Sequence, residues 1–287
     1  MQSNSCQLCL QDKPLENSHV IPAFAGRYLV RTSATGFLRD GMNPNVRRQG
    51  LPTERLFCRE CEAILSKYER EFATDYFPIL QDDQFNSLNY GENLLRFAVS
   101  LHFRILITTW GVMVGDISRH QRNVTKIREN WRRYLLGEIS SPGGEHHLFV
   151  FAGIPNGLPS HAHEKFLDYV LRGIDGTPIV SSTSVAVYVK LIRCIFYSPI
   201  VPKIAKGWGK TRIYAGPGRI LSPQALAMPG FLDFMNLRAT EAFARPISDN
   251  QNQKIAETMK ADPDRTIASE SFRVGLARHS INQEKKF

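Results

Sequence analysis

The chain has 287 residues, of which 43% are hydrophobic and 22% charged; this is ordinary globular usage and excludes a disordered, collagenous or coiled-coil protein. At that length a core forms without staples, and length alone suggests two domains. Lys and Arg number 36 against 27 Asp and Glu, a net charge of +9, which favours a polyanionic partner such as nucleic acid.

The first residues carry no basic stretch followed by an apolar one, so no secretory signal is expected. The longest apolar candidate, residues 94–114, is interrupted by Arg96, His102 and Arg104, so it does not read as a membrane span. A cytoplasmic protein without a membrane partner is expected. From Cys58 the sequence predicts a helix, with Ile64, Leu65, Tyr68 and Phe72 at helical spacing. The polar run 81–84 marks a boundary, and a second helix starts near Gly91. A third, roughly 118–136, carries Arg119, Arg122, Lys126, Arg128, Arg132 and Arg133 against Glu129 alone. Beyond the loop 140–144 the pattern predicts a strand at 146–154, a helix at 161–172, strands within 180–196 and helices from 223 to the end, with Ser269 as an N-cap. The expected organisation is a zinc-binding module at 1–80, a mixed domain with a basic surface at 81–245, and a helical tail at 246–287.

Five cysteines are too few for a disulfide scaffold, and four form two C-x-x-C pairs, Cys6/Cys9 and Cys58/Cys61, separated by 48 residues. Two such pairs complete a tetrahedral all-cysteine Zn²⁺ site. The first suits a knuckle and the second the first turn of a helix, whose N-terminus favours thiolates. Knuckle, hairpin and helix make a treble-clef-like unit. The fold class expected is therefore α+β, a treble-clef or ββα-metal-like zinc module followed by a mixed α/β C-terminal domain. Cys194, in an apolar strand, reads as a core thiol.

Between the pairs lies Ser18-His19-Val20-Ile21-Pro22, and Glu62 directly follows the second pair. This arrangement resembles the zinc-containing HNH endonucleases, whose pattern is C-x-x-C, D/E/H-H-I/V-x-P, an Asn-containing loop and L-C-x-x-C-H. The local sequences SATGFLR, NPNVRRQ and LFCRECEAILSKYEREFA are also similar to a group of bacterial proteins of unassigned function. The resemblance covers about the first 75 residues. It implies a structural zinc, His19 as the base that activates water, Glu62 as a ligand to a catalytic Mg²⁺ or Mn²⁺, and a role in antiphage defence.

The chain departs from that pattern at three places. Ser18 stands where the family has a metal-binding residue, Glu62 replaces His, and Thr53 stands where the Asn falls, leaving Asn45 or Asn43 as substitutes. Glu69, two helical turns after Glu62, is a second metal ligand or a solvated charge. His19 is read as the base, as a residue that holds the hairpin, or as a zinc ligand displacing a cysteine. Arg47 and Arg48 contact phosphate or form a solvated turn.

Further on, Arg128, Arg132 and Arg133 could follow a phosphate backbone with Trp131 stacking on bases, or Trp131 could be core. Lys206, Lys210 and Arg212 belong to a second basic stretch interleaved with aromatics. His146, His147, His161 and His163 read as loop and surface residues rather than a metal site. The expectation is a metal-dependent HNH-like endonuclease acting on nucleic acid, DNA before RNA. The alternative is a non-catalytic zinc protein that binds nucleic acid or senses a partner. A homo-oligomer or a defence-system partner protein fits either.

Overall fold

The structure, a computed structural model, describes residues 5–110, 118–154 and 161–284. The protein is a mixed α and β chain with several small sheets. It divides into two compact units, each assembled from three stretches of chain. The first takes residues 1–22, 52–152 and 175–228; the second takes 23–51, 153–174 and 229–287. This division runs differently from sequential cuts near 80 and 245, because the insertion 23–51 and the C-terminal helices share one core.

In the first unit the strand Leu15–His19 pairs antiparallel with Thr53–Cys58, Leu15 opposing Cys58 and His19 opposing Thr53. The helix Arg59–Glu71 follows without a break and packs on both strands. A five-stranded sheet runs in the order Arg212–Ile213, His146–Val150, Cys194–Val201, Val185–Leu191, Ile174–Val180. All seven residues of Val185–Leu191 are buried, so both faces of the sheet are covered and its strands read as continuous apolar runs. The expected strand region resolves into two strands joined through Ile192 and Arg193, with Ile192 in the left-handed region at φ 60°.

One face of the sheet carries the helix Asn93–Thr109, against which Gln121–Leu135 packs. Phe72 stacks on Phe97 at 4.1 Å between centroids, and Phe196 meets each edge-on at 5.5 Å. This cluster ties the chain just beyond the cysteine-bearing helix into the core. The cysteine region is thus one edge of a larger unit. Trp208, in the basic stretch, is buried and stacks on Tyr197 at 4.5 Å, so it is not available to bases.

The second unit is mainly helical: Ala23–Arg31, Phe166–Arg172, Phe231–Phe243, Asp249–Ala261, Pro263–Ala268 and Glu270–Glu284. Ser269 caps the last helix as expected, its Oγ accepting from the Phe272 amide. A two-stranded ribbon, Leu38–Asp40 with Asn43–Arg48, lies on these helices. At its turn a Cβ on Gly41 would sit 2.5 Å from the Ala242 carbonyl oxygen, so only glycine fits that approach.

Candidate metal centre

Cys6 and Cys9 lie on a tight turn closed by the Leu10 amide donating to the Cys6 carbonyl at 2.9 Å, with Leu10 at φ 61°. The Gln7 amide donates to the Leu56 carbonyl and fastens this turn to the strand that delivers Cys58. Cys58 is the N-cap residue of Arg59–Glu71, and Cys61 lies in the first turn of that helix. The four Sγ atoms consequently lie within 4.8 Å of one another, close enough to hold one metal ion. Cys9 Sγ is 3.8 Å from Cys58 Sγ; a tetrahedral ion with Zn–S of about 2.3 Å separates its sulfurs by about that distance. Three of the four cysteines are buried.

Burial and the neighbouring thiols push the Cys61 thiol up, and burial raises Cys58. For Cys6 burial acts the same way but is outweighed by N–H donors from Cys58, Cys9 and Leu8, which bring it down to about 7. A cation held by the four cysteines would resolve this competition by stabilising all four thiolates together. No other group of three or more His, Cys, Asp or Glu ligand atoms gathers in this way among the described residues.

His19 ends its strand half-buried and opposite Thr53, at the other end of the ribbon from the Leu15/Cys58 pair, and its imidazole makes no hydrogen bond among the described residues. Ser18 beside it is buried and bonds back to the Glu16 carbonyl. Glu62 is half-buried, and its Oε1 is enclosed without a hydrogen-bond partner among the described residues. A buried carboxylate oxygen in that condition is costly unless it meets a proton or a cation.

The remaining expected site residues have other placements. Glu69 pairs with buried Arg104 at 3.1 Å. Asn45 belongs to the second unit, where its Oδ1 accepts from the Ser248 amide at 2.9 Å. Arg47 lies over the Phe37 ring and Arg48 pairs with Asp40. Arg132 bonds Glu129 and the Leu8 carbonyl, which braces the first cysteine turn, and Arg133 pairs with Glu138. Arg128, Lys206 and Lys210 are exposed, while Arg212 pairs with Glu145 at 2.8 Å.

Trp131 is fully buried, against the rings of His102 and His146, so of its two readings it is core. Two expectations change. His146 and His147 are not surface histidines. Both are buried, because successive strand residues face opposite sides of a sheet that is covered on both. His146 Nδ1 meets His102 Nδ1 at 3.1 Å, and His147 bonds Thr211 and Glu145. The 161–172 helix begins at Phe166, and His161 instead pairs with Asp233.

The chain matches no family model, and no curated protein or solved structure matches it. No helix among the described residues is long and apolar enough to cross a membrane.

Proposed function

We propose that the protein is a metal-dependent endonuclease of HNH-like, treble-clef design, with Zn²⁺ on Cys6, Cys9, Cys58 and Cys61. The observation that carries this reading is Glu62, whose enclosed Oε1 lacks a partner one residue beyond a zinc-type cysteine. Support also comes from the strand–strand–helix order and from His19 at the strand end opposite Thr53, the position where the resemblance has Asn. His19, half-buried and uncommitted, would take the proton of the attacking water on an imidazole nitrogen. Glu62 would hold a hard divalent cation through the orphaned oxygen. Such a cation, when bound, offsets charge developing on the phosphorane and the leaving oxygen. The net charge of +9 suits a nucleic-acid substrate, with DNA preferred by the resemblance, and antiphage defence is the setting it implies.

A second reading keeps the zinc fold and drops the chemistry. It draws on Glu69 being tied to Arg104 and on Asn45 being engaged with Ser248, which leaves fewer groups for a catalytic cation. The experiment that separates them is incubation of the purified protein with plasmid, linear DNA and RNA over Mg²⁺ and Mn²⁺. On the first reading cleavage occurs and drops by about 100-fold or more in His19→Ala. Glu62→Gln also abolishes it while the zinc content stays. Salt-sensitive binding with no cleavage under any metal selects the second reading.

A further inference from the structure

In the second unit the ribbon Leu38–Asp40/Asn43–Arg48 places Arg39 directly opposite Arg47. Like charges at opposed positions of an antiparallel pair destabilise it, and burial together with the Arg47 charge lowers the pKa of Arg39. Among the described residues Arg39 has no acidic partner: its Nη1 donates to the Pro44 carbonyl at 2.7 Å and to Gln251 Oε1 at 3.5 Å. Arg39 Nη2 is enclosed and has no hydrogen-bond partner among the described residues. A buried cationic donor left in this way is expensive, and an anion is its natural complement.

An open cavity of about 520 Å³ adjoins this ribbon, lined by Asn45, Arg47, Gln251, Lys254, Glu257 and Thr258. The helix Asp249–Ala261 turns Gln251, Lys254 and Thr258 to one side, since positions three and four apart share a face. Asn45 uses its Oδ1 on the Ser248 amide, which leaves its NH₂ as a donor. Lys254 and Arg47 have no acidic partner among the described residues. Glu257 is the single acid of the lining, and it accepts from Gln253 at 2.8 Å.

We infer that this cavity is a phosphate-binding site, in which Arg47 and Lys254 supply charge and Asn45 supplies an amide donor. Arg39 is outside the lining and reaches it only through its 3.5 Å bond to Gln251 Oε1. Fork-shaped guanidinium and point-charge ammonium donors converging from two elements match the oxygens of a phosphoryl group. The phosphate comes either from a nucleic-acid backbone or from a free phosphate or nucleotide. The inference is independent of the nuclease reading, because its residues belong to the second unit and binding is read without cleavage.

The test uses the full chain and the double variant Arg47→Gln/Lys254→Gln, at two exposed positions with no acidic partners. Binding of a short blunt DNA duplex is followed by fluorescence anisotropy, and binding of inorganic phosphate by calorimetry. With the backbone as source, the double variant binds duplex about tenfold more weakly, and its log–log salt slope flattens by about 2. With free phosphate as source, duplex binding is unchanged and the calorimetric phosphate signal disappears. A folded double variant, with unchanged circular dichroism and melting, that binds both probes like the parent overturns the inference. If the double variant melts early, the single Lys254→Gln variant is read against the same criteria.

Discussion

Arg104 is 2% exposed by side chain and among the described residues has one acidic partner, Glu69, itself 23% exposed. A guanidinium so enclosed depends on that carboxylate, since removing one member of a buried pair strands the other charge. Glu69→Ala is therefore expected to destabilise the protein by about 3 kcal/mol, measured as a shift in the urea midpoint. An effect near zero would mean that water reaches Arg104 and that Glu69 is free for another role, such as metal binding. Arg96 and His102 on the same helix are also engaged. Arg96 donates to the Tyr134 carbonyl at 2.8 Å and lies over the Tyr134 ring, and His102 meets His146. The three polar residues that interrupt this apolar run thus hold the helix to three different neighbours.

The helix Arg59–Glu71 begins without a side-chain cap, its N-cap residue being Cys58. A metal on the four cysteines would join the first turn of this helix to the Cys6–Cys9 turn and to the end of the Thr53–Cys58 strand. The Cys6–Cys9 turn is hydrogen-bonded to the other two through Gln7 N–H to the Leu56 carbonyl and Cys58 N–H to Cys6 Sγ at 3.3 Å. Cys58→Ser is accordingly expected to lose about one equivalent of zinc per chain and to unfold this region, because metal binding and folding are coupled. Elemental analysis beside a thermal melt checks it, and chelator treatment of the parent should reproduce the loss. The Phe72–Phe97–Phe196 cluster is independent of the metal, so the sheet should persist. Full retention of the parent melting point by the zinc-free variant would refute the coupling.

For the protein as a whole, acid sensitivity follows from the buried histidines of the first unit. Burial pulls His102 down to about 3, with the His147 charge adding to it. His146 is held well below the usual imidazole range by burial and by His102, His147 and Arg212. Trp131 contributes only its ring to this group. Both imidazoles are neutral in the fold, whereas in the unfolded chain they bind protons near pH 6.5. The unfolded state therefore gains protons first as pH falls, and stability is full above about pH 6.5 and declines below it. Urea unfolding between about pH 7 and pH 5, above the carboxylate range, should show a falling midpoint. A flat midpoint over that interval would indicate that water or a counterion reaches the pair.

The paired cysteines were legible because a four-thiolate site needs only local spacing within each C-x-x-C, and the helix after Cys58 follows from its apolar period. The capping Ser269 and the core thiol Cys194 were legible for the same local reasons. The burial of His146, His147 and Trp131 was not, since it depends on helices and strands distant in sequence closing over them. Nor was the pairing of Glu69 with Arg104, which joins two helices and gives a surface-like carboxylate a structural partner. Arg39 and Lys254 carry no local signal for a related reason: they stand more than 200 residues apart in the chain, and it is a ribbon and a helix of the second unit that hold them. Metal-ligand spacing and helical period are properties of adjacent residues. Which charge is buried, and beside what, depends on how the chain closes on itself, because desolvation is set by every element that packs around the group.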